Sequence, residues 1–368
     1  MTVIKWTLSK KRKILKEIGG IMNKKSRITW LIVIAIILII SIVGLSIVLF
    51  GVSKEHLFKP VKETTTSTVS KTDEDINILL ISHFKPCPFW AVVKKGMDGA
   101  ANQLGIDASI YFSYEDISKQ VAILEQAIAS DVDGIAISIV NPDAFDPAIK
   151  EAIDAGIPIV AFNNDDPEGA KGNARLAFIG QDMTQAGYEL GKRIAKVANL
   201  GSEDLVVIPA ENPGEPYAIL RSNGVKKALD EVGASYEILD AGGIDTSINE
   251  QRITSYILAH PELKAIVAVG GQVTEVTGRV VEKLNYKPGE IPAGGFDIYP
   301  ETLTAIEKGY IEAIVDQQPY LQGYYAVQEL YLMVKYGFGA YDIDTGKQLV
   351  DINNIGTVKK LIEEDIWA

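Results

Sequence analysis

The sequence has little of the chemistry on which catalytic and metal sites depend. Its 368 residues include one cysteine, Cys87, and three histidines, His56, His83 and His260. A single cysteine excludes an intramolecular disulfide and a multi-cysteine metal site, and three scattered histidines argue against a histidine-based triad or zinc cluster. No phosphate-binding loop, His-Glu-x-x-His or Gly-x-Ser-x-Gly motif occurs. The sequence therefore predicts no catalytic residue, metal or cofactor.

Glycine-rich nucleotide motifs are also missing. A single glycine pair, Gly270-Gly271, follows a predicted strand. Two glycines alone are too short a motif to indicate a dinucleotide site.

Positive charge is scarce beyond the N-terminal segment. Residues 1–54 contain ten Lys or Arg and one acid, Glu17, whereas residues 55–368 contain 26 basic and 47 acidic residues, a net charge of −21. The negative electrostatic potential that this charge produces disfavours contact with DNA, RNA and anionic lipid surfaces. We expect no nucleic-acid partner. A transcription regulator would also need an N-terminal DNA-binding helix-turn-helix, and this chain has an apolar run there.

That apolar run, Leu31 to Phe50, is interrupted by only three small residues. About 20 apolar residues span a bilayer, whereas the apolar region of a signal peptide has about 7 to 15. The basic residues before it place residues 1–30 in the cytoplasm and the rest of the chain outside. We expect residues 31–50 to be a transmembrane anchor that holds the protein at the outer face of the cytoplasmic membrane. The alternative is a signal peptide cleaved after Ser53, which would release a secreted protein.

A polar segment, residues 51–75, follows the apolar run and is rich in Ser, Thr, Lys and Glu. A segment with so few large apolar residues does not offset the entropy lost on ordering. It is predicted to be a flexible tether between the membrane and a domain that begins at Ile76.

The remaining chain contains an internal repeat. The stretch from Gly96 to Gly105 recurs with the same spacing from Gly224 to Gly233, and Ile157 to Asn163 recurs as Ile291 to Asp297. The repeat predicts two similar α/β lobes. Open parallel sheets bind ligands at the carboxyl ends of their strands, so two lobes placed mouth to mouth would form one cleft.

Short apolar runs alternate with segments of helical period from Ile76 onward. This alternation indicates parallel sheets with right-handed crossovers and flanking helices. On the first helix, Phe89, Val93 and Met97 fall on one face; on the second, Ile117, Val121, Leu124 and Ile128 do so. Strands are predicted at 77–82, 109–112, 134–139, 159–162, 177–179, 205–209, 265–269, 293–296 and 311–315.

Aromatic side chains near the predicted cleft suggest contact with the apolar faces of a sugar ring. Phe89 and Trp90 follow the first strand, and the repeat aligns Phe89 with Tyr217. Phe89 also begins the apolar face of a helix, so core packing is an equal alternative for it. Trp90 lies off that face, and burial explains it less well.

Short polar side chains at the strand ends are suited to recognising hydroxyl groups. Asn-Asp runs also form turns, and an arginine on a helix is often a surface charge, so both structural alternatives stay open. The candidates are Ser138, Asn141, Asn163, Asn164, Asp165, Arg221, Asp297 and Gln317.

Several motifs, in order along residues 76–358, together resemble the ribose-binding-protein type of periplasmic sugar-binding protein. They are residues 82–105, 133–138, 156–163, 221–224, 259–261, 295–297 and 316–323. The resemblance implies a type I periplasmic-binding-protein fold whose lobes are joined by a three-crossing hinge near Gln181, Gln317 to Gln318 and Tyr341 to Lys347. It assigns residues 76–181 and 318–345 to lobe 1, and residues 182–317 and 346–368 to lobe 2.

The same resemblance implies roles for individual residues. Phe89 and Trp90 match the stacking positions, Ser138 a polar contact, and Asn163 and Asn164 a pair that is usually Asp-Arg. Sugar-binding positions of unchanged identity are Arg221, Asp297 and Gln317.

Departures from the family pattern make ribose itself a poor candidate. Cys87 replaces an Asn that commonly contacts sugar, Ile244 replaces a Phe, and Gly270 replaces an Asn. The loop before Pro88 is one residue longer, which brings Lys85 and His83 into consideration. We therefore expect a different sugar or polyol.

The resemblance implies a solute receptor that delivers its ligand to the membrane permease of an ABC importer. One alternative is a sensor subunit, and another is a receptor for a furanosyl-type signalling molecule. An enzyme with Asp165 and Asp297 as acid and base would need the paired carboxylates of a glycosidase, and the missing motifs disfavour it.

Overall fold

A computed structural model describes residues 72–141, 143–346 and 348–364. The predicted basic N-terminus, the apolar run at 31–50 and nearly all of the predicted tether lie outside these described residues. Within them, no helix combines the length and the apolar character that crossing a membrane requires.

Twelve strands form two six-stranded sheets in the described part of the chain. The first sheet has the order β11-β5-β4-β3-β1-β2, and all its neighbouring pairs are parallel. Its strands are β1 (Asn77–Ser82), β2 (Asp107–Phe112), β3 (Gly134–Ile137), β4 (Ile159–Phe162), β5 (Phe178–Gly180) and β11 (Ile343–Asp344).

The second sheet repeats this topology with the order β12-β10-β9-β8-β6-β7. It is not wholly parallel, because β12 runs antiparallel to β10. Its strands are β6 (Leu205–Ala210), β7 (Ser235–Asp240), β8 (Leu263–Val267), β9 (Ala293–Phe296), β10 (Ala313–Asp316) and β12 (Gln348–Val350).

Three strands were not predicted from the sequence: β7, β11 and β12. Strand β7 lies at a sheet edge and contains no buried residue, so it lacks the continuous apolar run by which central parallel strands are recognised. Strands β11 and β12 have only two and three residues, which is too short for any periodicity.

Ten α-helices connect these strands in the described residues. They are α1 (Pro88–Leu104), α2 (Ile117–Ile128), α3 (Asp146–Asp154), α4 (Met183–Val197), α5 (Pro216–Asp230), α6 (Thr246–Ala259), α7 (Gly271–Lys283), α8 (Pro300–Lys308), α9 (Pro319–Tyr336) and α10 (Ile355–Glu363).

The helices bury their apolar faces against both sides of each sheet. In α1, Val93 and Met97 of the predicted face are fully enclosed. In α2 the prediction was partly wrong: Leu124 is buried, but Ile117 is 38% exposed. The first turn of α2 borders a cavity, so Ile117 is apolar without being part of the core.

The chain passes between the two sheets three times. The first passage joins β5 to α4, the second joins β10 to α9, and the third joins β11 to β12. The predicted lobe boundaries lie in these three connections.

The glycines of the repeat mark the points where two helices cross in each lobe. A Cβ built on Gly96 of α1 would lie 1.9 Å from the carbonyl oxygen of Tyr320 in α9, and one built on Gly224 of α5 would lie 2.0 Å from that of Thr184 in α4. Side chains are excluded at both positions because backbone atoms are already there. The sequence repeat is thus a repeat of helix packing.

The second repeated motif produces the same backbone turn in both lobes. Asn163 follows β4 with φ of 65°, and Asp297 follows β9 with φ of 70°. Asn and Asp adopt this left-handed conformation more readily than other non-glycine residues. The chain therefore turns sharply at both strand ends, and both side chains lie on the wall of one cavity.

Candidate functional site

A cavity of about 330 Å³ lies between the carboxyl ends of the two sheets. Lobe 1 contributes residues that follow β1 and β4, and lobe 2 contributes residues that follow β6, β9 and β10. This volume is at the lower end of the range for small-molecule sites. The predicted residues on its wall are Cys87, Phe89, Trp90, Asn163, Asn164, Tyr217, Arg221, Ile244, Gly270, Asp297 and Gln317.

The aromatic wall of the cavity is centred on Trp90, which is 3% exposed. Its ring packs edge-on against Phe89, Phe112 and Phe162 at centroid distances of 5.5, 6.4 and 5.8 Å. Burial, which the helical pattern explained less well for Trp90, is nevertheless observed, because the ends of β2 and β4 enclose the first turn of α1. Trp90 is both a core residue and part of the cavity wall, and Phe89 is partly buried beside it.

Ser138 lies behind the cavity wall rather than on it. Its Oγ is 2.8 Å from His83 Nδ1, and it donates to Asn163 Oδ1 at 3.4 Å. Asn164 also donates to Asn163 Oδ1, and Asn163 Nδ2 donates to Gln322 Oε1 at 3.1 Å. Ser138 therefore orients the two amides instead of reaching the space between the lobes.

Three further candidates do not line the cavity. Asn141 accepts two backbone amide hydrogen bonds within its own turn, at 3.1 and 3.0 Å. Asp165 is held in a two-pronged ion pair by Arg175, and Lys85 is exposed, with its ammonium 5.6 Å from the centre of the Phe84 ring. The side chain of Asn141 thus serves its own turn, which was not an alternative considered for it, and ion pairing accounts for Asp165.

Arg221 projects from α5 into the second lobe's side of the cavity and is 3% exposed. Its Nε donates to Gln181 Oε1 at 3.2 Å, and its Nη1 donates to the Val269 carbonyl oxygen at 3.0 Å. The guanidinium lies 4.1 Å from the centre of the Phe296 ring. The surface alternative is therefore wrong for Arg221, whose head group is fixed from two sides.

Asp297 faces the same space, and its Oδ1 accepts a 2.6 Å hydrogen bond from Gln317 Nε2. Burial raises the pKa of Asp297, while the charge of Arg221 and the bond from Gln317 oppose that rise. Burial likewise lowers the pKa of Arg221, which nearby Asp297 counteracts. The carboxylate and the guanidinium therefore stabilise each other's charge in the cavity.

Glu211 is a wall residue that sequence reasoning missed. It is 1% exposed, and its carboxylate accepts from the Val273 amide at 3.0 Å and from the Tyr217 hydroxyl at 2.9 Å. The repeat contains the signal that would have found it, because the spacing that relates Phe89 to Tyr217 also relates His83 to Glu211. Other wall residues missed from the sequence include Glu115, Ile117, Met183, Asn212, Glu215, Gln272 and Tyr299.

Two groups in the loop after β1 are neutral at pH 7. Burial lowers the pKa of His83 to about 4, and burial is also the main cause that raises the pKa of the Cys87 thiol. The first lobe therefore presents aromatic, amide, thiol and imidazole groups to the cavity, whereas the charged groups are concentrated in the second.

Acidification is expected to destabilise the fold through His83. The unfolded chain binds a proton near pH 6.5, whereas the folded imidazole does so near pH 4. The stability contributed by neutral His83 is complete above pH 6.5 and is lost as the pH falls towards 4, by up to about 3 kcal/mol. Urea unfolding of the wild type and of His83→Gln at pH 7 and pH 4.5 measures how much unfolding free energy each protein loses on acidification. The wild type should lose more stability, and equal losses would contradict the assignment.

Comparison with known proteins connects this architecture to a family. The periplasmic binding protein domain family matches residues 78–337. The xylose/arabinose-binding protein of Sulfolobus acidocaldarius is 31% identical over 293 residues, which cover 76% of this chain and 71% of that protein.

Two solved structures have a similar fold. One is an ABC transporter solute binding protein from Burkholderia graminis in complex with D-arabinose, with a TM-score of 0.70, 27% identity, and coverage of 77% of this chain and 98% of the other. The second is a carbohydrate transporter from Acidothermus cellulolyticus in complex with myo-inositol, with a TM-score of 0.69, 28% identity, and coverage of 79% and 99%.

The resemblance noted in the sequence is confirmed by these matches, and the architecture is the type I periplasmic-binding-protein fold. The two lobes repeat one topology, and their cavity lies where open α/β sheets bind ligands. The chain belongs to the periplasmic binding protein domain family.

Proposed function

We propose that the protein is an extracytoplasmic receptor that binds a sugar or polyol between its lobes and delivers it to an ABC importer. The observation that carries this proposal is the cavity of about 330 Å³, which combines an aromatic wall with a fixed arginine and carboxylate. Aromatic rings suit the apolar faces of a sugar, and convergent polar groups suit its hydroxyls. The relative named as a xylose/arabinose-binding protein and the two solved structures in complex with D-arabinose and myo-inositol support the same ligand class.

Each wall group has a proposed part in recognition. Phe89 and Trp90 stack on the ring of the ligand. Asn163 and Asn164 offer amide donors and acceptors, and Arg221 and Asp297 bind hydroxyls as donor and acceptor. A ligand that lacked one of these hydroxyls would leave a buried group unpaired, which costs about 1 to 3 kcal/mol.

Catalysis is not part of this proposal. Hydrolysis of a glycoside by the common route needs two carboxyl groups on either side of the scissile bond. Asp165, the suggested partner of Asp297, is paired with Arg175 and does not line the cavity.

We further propose that the three connections between the lobes act as a hinge that closes on the ligand. Gln181 supports this idea, because it links the first connection to both the third connection and the site. Its Nε2 donates to the Gly346 carbonyl oxygen at 2.6 Å, while its Oε1 accepts from Arg221. Hinge motion and the position of the guanidinium would therefore be coupled, and closure would present a new surface to the permease.

Attachment to the membrane through residues 31–50 completes the proposal. It is supported by the length of the apolar run and by the basic residues before it. An anchored receptor would remain in membrane pellets after washing with alkaline carbonate, and a cleaved one would not.

The test of ligand binding is a thermal-shift screen of the full chain, kept in mild detergent, against pentoses, hexoses, inositols and sugar alcohols. A ligand at about 100 times its Kd adds about 2.7 kcal/mol of stability, so a true ligand should raise the Tm clearly. Trp90 provides a second readout, since its indole lies on the cavity wall and its fluorescence should change on binding. Trp90→Phe should remove that signal. Absence of a shift with every carbohydrate would contradict the proposed function.

A further inference from the structure

The glycine pair Gly270-Gly271 makes room for two carboxylates at the start of α7. A Cβ built on Gly270 would lie 1.8 Å from Glu211 Oε2, and one built on Gly271 would lie 2.8 Å from Asp297 Oδ2. Consecutive Cα atoms are about 3.8 Å apart, so the two acids occupy neighbouring positions. Both line the cavity.

The first turn of α7 favours the charged form of Glu211. Glu211 accepts from the Val273 amide, one of the free backbone donors at the start of the helix, and the positive end of the helix dipole favours carboxylates there. Burial, and to a lesser extent the charge of Asp297, raise the pKa of Glu211, whereas that bond and the Tyr217 hydroxyl oppose the rise. An ionised Glu211 accepts hydrogen bonds and donates none.

Positive charge on the wall is too small to balance the acids. Among the described residues that line the cavity, Arg221 is the single basic side chain of the Lys or Arg type. Four carboxylates line the same space: Glu115, Glu211, Glu215 and Asp297. His83 is neutral at pH 7. Arg221 interacts with Asp297 and, more weakly, with Glu211, so one buried cation faces two buried carboxylates and one negative charge remains in excess.

The entrance to the cavity adds to this excess. Glu115 belongs to the first lobe and Glu215 to the second, and both border the same space. Burial raises the pKa of Glu215, and the charge of Glu115 adds to that rise. Like charges thus face each other across the cleft, and a cation between them would relieve their repulsion.

We propose that the preferred ligand is an amino sugar or amino polyol whose ammonium group lies beside Glu211. This inference rests on the proposed function and names the ligand class for the same cavity. Hydroxyls of the ligand would still meet Arg221 and Asp297, while the ammonium would supply the charge that Glu211 lacks. Anionic sugars such as uronates would be rejected, because the start of α7 is already occupied by two carboxylates.

The experiment compares matched ligands by calorimetry on the full-length protein in mild detergent. The sets are glucose, glucosamine and glucuronate; galactose, galactosamine and galacturonate; and myo-inositol with its monoamino analogue. In at least one set the amine should bind at least about tenfold more tightly than the neutral compound, as expected for close charge pairs. The uronates should not bind measurably.

Glu211→Gln tests the residue itself, because it removes the charge but keeps the shape. The preference for the amine over the neutral ligand should fall about tenfold or more. Glu203→Gln is the matched control: Glu203 precedes β6 and is exposed, whereas Glu211 follows that strand, so the control should keep the wild-type preference.

The outcomes separate this inference from the function on which it rests. If neutral sugars bind as tightly as their amines in every set, the inference is wrong and the receptor function stands. If neither class binds, both are overturned. A wild-type preference that survives in Glu211→Gln would overturn the assignment to this residue.

Discussion

Replacing Arg221 by alanine is expected to weaken ligand binding by about a hundredfold or more in a protein that still folds. The guanidinium is the one cation on the described wall of the cavity, and it serves as the counter-charge of Asp297. Truncating one member of a buried charge pair costs about 3 to 5 kcal/mol of binding free energy. The dissociation constant should therefore rise roughly a hundredfold to several thousandfold.

The geometry explains why no neighbour can replace this group. Two of its nitrogens are fixed by Gln181 and by the Val269 carbonyl oxygen, and its flat face rests over the Phe296 ring. These contacts define the direction of the remaining amine, Nη2. Arg221→Lys keeps the charge but loses the planar fork, so it should restore only part of the affinity.

Calorimetry with the ligand found in the screen measures the effect, and Arg252→Ala provides the control. Arg252 pairs with Asp240 on the exposed surface of the same lobe, so its removal should leave affinity unchanged. Melting of each variant without ligand shows whether it is folded. An Arg221→Ala variant that is folded and binds at wild-type affinity would refute the proposed site.

Much of this site follows from the internal repeat. Strand ends in parallel sheets meet at one edge, so Asn163 and Asp297 were predictable from their matching positions in the two copies. Arg221 and Gln317 were candidates as polar side chains before the family resemblance matched them to its sugar-binding positions, and both line the cavity. Whether each contacts ligand stays a prediction.

Other features depend on contacts that a linear pattern does not contain. Trp90 is buried because Phe112 and Phe162, from two other elements, enclose it together with its neighbour Phe89. Ser138 has a polar partner on each side, which places it behind the wall. Gly270 was noted as part of a weak motif and as a departure from the family pattern, but its packing role was not predicted, because the carboxylate that fills its space comes from Glu211, far away in the sequence.

The second large effect is expected at the helix crossing that carries Arg221. A Cβ built on Gly187 of α4 would lie 2.1 Å from the carbonyl oxygen of Arg221 in α5. That oxygen belongs to a helix backbone and has no rotamer through which to move away. The helices would have to separate, and overpacking of this kind costs about 2 to 3 kcal/mol. Gly187→Ala should therefore lower the free energy of unfolding by that amount in urea.

Gly356→Ala is the matched control, because Gly356 also lies in a helix but a Cβ there meets nothing within 4 Å. With no clash, the higher helix propensity of alanine should stabilise the protein by about 0.5 to 1 kcal/mol. The two variants make the same chemical change and should shift stability in opposite directions. Stabilisation by both would show that α4 and α5 do not approach as closely as described.

Gly187→Ala should also weaken ligand binding, although residue 187 does not line the cavity. The clash falls on the backbone of Arg221 itself, so separating the helices shifts the guanidinium relative to Asp297 and Gln317. A small displacement of the guanidinium removes much of its contribution to the binding free energy, because hydrogen bonds weaken steeply when donor and acceptor are misaligned. Below its melting temperature, the variant should bind more weakly than Gly356→Ala does. Unchanged affinity would mean that the fixed contacts of Arg221 with Gln181 and Val269 hold its head group in place independently of the helix crossing.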